Sequence, residues 1–265
     1  MSIGKQNQAL YEEAAVAEHY ASVSALQPAE RTVFALLDAR LASSDLLDLG
    51  VGGGRTTAHL APRVRRYVGL DYSPAMLDAA RRRFAGRDYE LVLGDARALT
   101  FGDGTFDVAL FSHNGLDYVD HDDRLRVLAE VRRVLRPGGL FVFSTHNLAR
   151  DELFSAPPGE GLLRRVLRSA QRARARALNP GHEARCAGPH AVLNDGAFGF
   201  RAATYHIRAA AQAAQLREAG FDAVRTFSGA SGHELEGSAV AAARDPWLYF
   251  LCSATVVGAP RELEY

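Results

Sequence analysis

Asp48 stands two residues ahead of three spaced glycines, Gly50, Gly52 and Gly54, directly after the apolar pair Leu46-Leu47. An apolar run that ends this way turns sharply, and glycine lets backbone approach a ligand with no Cβ in between. The dinucleotide pattern G-x-G-x-x-G would need glycine at 55, where Arg55 stands. Asp71 follows Gly50 by 21 residues and closes a second apolar run, Tyr67-Val68-Gly69-Leu70. A carboxylate there can accept from both hydroxyls of a ribose, with Tyr72 and Met76 placed to flank a base. Asp95-Ala96 closes a third run, where an acid and a backbone N–H can meet the polar edge of that base. Ser112-His113-Asn114-Gly115 and His146-Asn147 close two more.

These groups need a scaffold that brings strand ends together. Strand-like runs cover 46–49, 67–71, 89–93, 106–111 and 140–143, separated by helical patterns. Ser73-Pro74 supplies an N-cap and a first-turn proline for a helix through Phe84. A helix near 122–135 sets Leu125, Leu128, Val131, Val134 and Leu135 on one face, and Pro137-Gly138-Gly139 ends it. A last helix near 207–219 ends at Gly220, and strands near 222–228 and 246–256 follow. Alternation of this kind predicts an α/β fold: a doubly wound, mostly parallel seven-stranded sheet with a C-terminal antiparallel hairpin. Residues 1–42 read as N-terminal covering helices, and 43–147 with 204–265 as the core. Residues 148–203 interrupt the rhythm for too long to be an ordinary loop and read as a lid insertion.

Composition narrows the partners. The chain has 265 residues with 31 basic and 31 acidic side chains, enough for one elaborated core. That balance argues against a nucleic-acid partner, which a basic face would advertise. Two cysteines, Cys186 and Cys252, give neither a disulfide framework nor a zinc site and fit a cytoplasmic protein. No apolar stretch approaches the length needed to span a bilayer, so no membrane association is expected. No acidic cluster suggests a metal, and nothing fixes an oligomeric state.

In this order, Asp48-x-Gly50-x-Gly52-x-Gly54, Gly69-Leu70-Asp71-Tyr72-Ser73-Pro74-Ala75-Met76-Leu77, Gly94-Asp95-Ala96 and Leu135-Arg136-Pro137-Gly138-Gly139 resemble the core of the class I S-adenosylmethionine-dependent methyltransferases. The resemblance covers residues 45–146. It implies S-adenosyl-L-methionine as cofactor, held by Asp48, Gly50, Gly52, Gly54, Asp71, Tyr72, Met76, Asp95, Ala96 and Ser112. S-adenosyl-L-homocysteine would be the product. The Asn/Asp-Pro-Pro-aromatic motif of amino-group methylases is replaced by Ser112-His113-Asn114-Gly115, and the nucleophilic cysteine of pyrimidine carbon methylases is missing.

The acceptor side is less defined. His146 is the candidate base, because strand ends in this architecture face the cleft. Tyr20 is a candidate to touch the methyl group, and Tyr11, His113, Asn114, Asn147 and Tyr205 are candidates to bind substrate. Arg164, Arg165, Arg168 and Arg172, with Arg174 and Arg176 beyond, read as a charged face or as a grip on an anionic substrate. The expected activity is methyl transfer to an oxygen or nitrogen, less readily a carbon, of a small-molecule metabolite. The alternatives are a protein or carrier-bound acceptor, or a sulfonium-binding protein that transfers no methyl group.

Overall fold

The computed structural model describes residues 3–150 and 162–256, with side chains in the helix Leu162–Leu178 described only from residue 169 onward. A single ten-stranded sheet runs through it. The parallel part consists of β1 (Asp45–Leu49), β2 (Arg66–Asp71), β3 (Glu90–Leu93), β4 (Phe106–Phe111) and β5 (Leu135–Asn147). Two short strands, β6 (His190–Leu193) and β7 (Thr204–Ile207), come from the region of the insertion. The C-terminal part adds β8 (Phe221–Ser228), β9 (Glu234–Leu235) and β10 (Trp247–Ala254), which is antiparallel to both β5 and β8. The order is β3-β2-β1-β4-β5-β10-β8-β9, so the direction of strand addition reverses between β1 and β4. Ligands of doubly wound sheets bind at that reversal.

Both faces of the sheet are covered, which is why its central strands are apolar throughout. Leu47, Leu49, Val68 and Leu70 pack on one side with Val127, Leu128, Val131 and Leu216. Leu46, Leu110 and Val142 pack on the other with Val33, Phe34, Leu37 and Leu77. The N-terminal region forms three helices, Ile3–Tyr11, Ala14–Ser22 and Pro28–Leu41. The predicted helix after Ser73 spans Pro74–Arg83, and the Ser73 hydroxyl accepts from the Met76 N–H at its start.

Three expectations change. Leu125 is 40% exposed, because the helix His121–Val134 buries Val127 and Leu128 instead. Pro137-Gly138-Gly139 lies inside β5 as a bulge: Phe106 pairs with Leu135, while Val108 already pairs with Leu140. The sheet also exceeds seven strands. β4 ends at Phe111 opposite Phe143, so the edge of β5 is free beyond that point. There β7 pairs in parallel through His146↔His206 and Asn147↔Ile207, and β6 pairs with β7. Tyr205-His206-Ile207 thus extends the sheet beyond the carboxyl end of β4. Arg164, Arg165 and Arg168 of the expected charged face have side chains outside the described residues. Arg174 places its guanidinium 4.7 Å from the Phe200 ring centroid.

Candidate functional site

A cleft of about 820 Å³, its open mouth included, runs across the carboxyl ends of β1, β2 and β4. Asp48, Gly50, Gly52, Asp71, Tyr72, Met76 and Ala96 line one part of it, and Tyr11, Tyr20, Ser112, His113 and Tyr118 line the other.

The glycine turn is shaped for close approach. Gly52 has φ +54°, and a Cβ on it would meet nothing nearer than the Gly50 carbonyl oxygen at 3.9 Å, so its surface is open. Gly53 is closed: a Cβ there would lie 2.3 Å from the Ala21 nitrogen, because the helix Ala14–Ser22 rests directly on the turn. Asp48 holds the turn from below. Its Oδ2 accepts from the Thr56 hydroxyl at 2.6 Å and from the Tyr67 hydroxyl at 2.7 Å. These contacts anchor the loop. Burial pushes its carboxyl up to about 6, although both hydroxyls pull the other way.

Asp71 behaves similarly at the end of β2. Its two oxygens accept from the Gly52 N–H at 2.8 Å and the Ser73 N–H at 2.9 Å, leaving lone pairs toward the cleft. Burial raises it to about 6, opposed by those N–H groups. Ser73 Oγ in turn donates to the Tyr11 carbonyl at 3.0 Å and ties the first helix to this turn.

Asp95 does not line the cleft. Its carboxylate is held by Arg97 at 2.6 Å, and Arg97 also binds Asp123. Ala96 remains on the wall.

Tyr11, Tyr20 and Tyr118 bring aromatic rings to the other half. Tyr11 meets Tyr20 at 5.9 Å, Tyr72 at 6.1 Å, Tyr118 at 5.3 Å and Phe198 at 5.4 Å between centroids. Tyr20 also stands edge-on to His113 at 6.0 Å. Burial pushes the Tyr11, Tyr20, Tyr72 and Tyr118 hydroxyls up and the His113 ring down, and Arg55, paired with Glu30, lines the same cleft. Phe198 comes from the insertion and has φ +50°, rare for a bulky side chain.

Ser112 sits in a network that sequence reading missed. Arg55 grips the wholly buried Glu30 through two nitrogens, each at 2.5 Å, and reaches the Ser112 hydroxyl at 3.1 Å. Tyr249 donates to Glu30 at 2.9 Å. Burial alone would raise the Glu30 carboxyl, but the Arg55 guanidinium holds it below its ordinary value. Tyr118 was also missed; an aromatic three residues after Gly115 was the only local signal.

Asn114, His146, Asn147 and Tyr205 do not line the cleft. Asn147 is spent on the fold: its amide donates to the Ala243 carbonyl at 3.1 Å and accepts from the Ala149 N–H at 2.9 Å. Tyr205 is fully buried, with its hydroxyl 2.8 Å from His121 Nδ1 and its ring under the Arg124 guanidinium. The His146 Nε2 and Asn114 Nδ2 atoms lie 3.4 Å apart. Among the described residues no group of acidic, histidine or cysteine side chains is arranged to hold a metal ion.

Residues 46–139 match the family model described as a methyltransferase domain. An uncharacterised methyltransferase of Schizosaccharomyces pombe is 40% identical over 105 residues, which is 38% of this chain and 40% of that protein. The chain thus spans about 40% of the length of that curated relative. Among solved structures, an S-adenosylmethionine-dependent methyltransferase from Mesorhizobium loti superposes with a TM-score of 0.58 at 20% identity, covering 85% of this chain and 97% of that one. The 1,6-didemethyltoxoflavin-N1-methyltransferase of Burkholderia thailandensis, solved with 1,6-didemethyltoxoflavin and S-adenosylhomocysteine, gives 0.58 at 19% identity over 96% and 88%. These two likenesses concern the fold. The family match itself marks residues 46–139 as a methyltransferase domain.

Proposed function

We propose that the chain transfers a methyl group from S-adenosylmethionine to an oxygen or nitrogen of a small molecule. The observation that carries this is the divided cleft. One half is open glycine backbone beside a carboxylate, and the other is an aromatic box. The residues present fit the cofactor. Gly50–Gly54 backbone would lie against its methionine part, Asp71 would accept from the ribose hydroxyls, and Tyr72 and Met76 would flank the adenine above the Ala96 N–H.

When bound, the sulfonium supplies a methyl group already activated for transfer. The chain's own task is then to place the acceptor in line and keep water out, a contribution that can reach about 7–11 kcal/mol. Tyr11, Tyr20, Tyr118 and His113 are the groups for it, with Phe198 packed edge-on against Tyr11. An aromatic box favours a flat or apolar acceptor over a strongly anionic one. Incubation with S-adenosylmethionine and a panel of phenols, alcohols and heterocyclic amines should release S-adenosylhomocysteine in step with a methylated product. A protein that binds the cofactor and yields no product across alcohol, phenol and amine classes would contradict the reading.

A further inference from the structure

Phe198 meets two rings of the cleft wall from a backbone turn that side chains disfavour. Phe198, Gly199 and Phe200 follow one another at φ +50°, +67° and +72°, a left-handed turn that suits only the glycine. Strain of this kind persists only where the surroundings fix it, and it gathers at ligand clamps. Here the base of the turn is fixed by Asn179, which is almost wholly buried. Its Oδ1 accepts from the Asn194 N–H and its Nδ2 donates to the Asn194 carbonyl, each at 2.9 Å. Asn194 Nδ2 donates in turn to the Phe200 carbonyl at 2.9 Å, and the Asp195 carboxylate accepts from the Ala197 N–H at 3.1 Å. The two phenylalanines have different partners. The Phe200 ring pairs with the Arg174 guanidinium and holds the turn in place. The Phe198 ring stands edge-on to Tyr11, at 5.4 Å and 85°, and to Tyr118, at 6.2 Å and 70°.

The first helix is fastened to the same segment on both sides of that contact. Asn7, fully buried, donates through Nδ2 to the Ala203 carbonyl at 2.9 Å and to the Tyr118 carbonyl at 3.0 Å. Gln6 Nε2 donates to the Arg201 carbonyl at 3.2 Å, and the Arg201 guanidinium pairs with Glu13. Tyr11 lies between Asn7 and Glu13 in the chain, so residues 198–203 set its place together with its own helix. Tyr11 and Tyr118 both line the cleft, and Phe198 bears on the cleft through them.

We propose that Phe198 is a positioning residue that sets the width of acceptor the cleft admits, by fixing the Tyr11 and Tyr118 rings. This rests on the methyl-transfer reading above. While the phenyl ring is in place, Tyr11 cannot turn toward it, and the wall that the acceptor meets stays where it is. The acceptor class so selected is a flat single-ring phenol or amine, which aromatic walls hold by their faces and edges. Without the phenyl ring the two tyrosines can retreat. A single-ring acceptor is then held loosely, and a wider one fits.

The test is steady-state kinetics on the same acceptor panel, extended to two-ring phenols and amines. Glycine takes φ +50° without strain, so Phe198→Gly loses the ring and keeps the turn. Its KM for the best single-ring acceptor should rise by about 10-fold with kcat little changed. The ratio of kcat/KM for two-ring over single-ring acceptors should rise by about 10-fold as well. Phe198→Tyr keeps the ring and should return both quantities to those of the unaltered protein. Should Phe198→Gly fail to fold, Phe198→Leu carries the same comparison. A merely structural role would lower activity on every acceptor alike, so an unchanged ratio in the variant overturns the proposal. An unaltered protein that methylates no member of the panel would instead overturn the methyl-transfer reading.

Discussion

On the proposed reading, Asp71 is the residue that couples the fold to the ligand. Its carboxyl, like that of Asp48, lies near 6, well above the ordinary value for aspartate, because burial penalises the charge. The folded chain therefore holds protons that the unfolded chain releases from about pH 4 upward. The stability these two groups add is fully present below that pH and is lost as pH rises through about 6. On the proposed reading ligand binding runs the other way, because an ionised Asp71 would accept best from ribose hydroxyls. Affinity for S-adenosylhomocysteine should weaken by up to about tenfold per pH unit below pH 6 and level off above pH 7. Asp71→Asn should abolish most of that dependence, as read by titration calorimetry across the range. Asp71 was legible in the sequence, because it closes an apolar run at a fixed distance from the glycines. Phe198 was not, since its meaning lies in Tyr11 and Tyr118, which only the fold brings to it.

At the scale of elements, what was local was readable. The five parallel strands are short apolar runs punctuated by Gly, Pro and Asp, and each appears within a few residues of its expected place, although β5 is longer. What depended on partners was not. β6 and β9 exist because an edge was available to them, and the bulge at Pro137-Gly138-Gly139 reflects pairing with β4. Tyr205 has the alternation of a strand, but its burial follows from Arg124 and His121, far off in the chain. The fit between the glycine turn and the helix Ala14–Ser22 is a consequence that can be measured. Gly53→Ala would drive a Cβ into the Ala21 backbone and lift the helix that carries Tyr20. A loss of about 1–3 kcal/mol in stability is expected by denaturant unfolding, with weaker S-adenosylhomocysteine binding alongside.

Across the whole molecule, one buried charge joins parts distant in sequence. Glu30 in the third helix, Arg55 after the glycine turn, Ser112 after β4 and Tyr249 in β10 form one hydrogen-bonded knot beside the cleft. A buried pair adds little over an apolar replacement, but removing one partner strands the other's charge. Glu30→Ala should cost about 3–5 kcal/mol by equilibrium unfolding, and an Arg55→Met, Glu30→Leu double variant should recover part of it. Preserved stability in the single variant would mean that the knot is not what fastens the N-terminal helices. Among the described residues no helix is long and apolar enough to cross a membrane.

The central claim is that the carboxyl ends of β1 and β2 hold an adenosine-bearing sulfonium, with Asp71 as its charged contact. Calorimetric titration of S-adenosylhomocysteine at pH 7.5 into the unaltered chain and into Asp71→Asn tests it most directly. One site per chain is expected, with affinity lower by about 10- to 100-fold in the variant, the worth of a charged hydrogen bond. Absence of binding to the unaltered chain, or equal affinity in both, would contradict it.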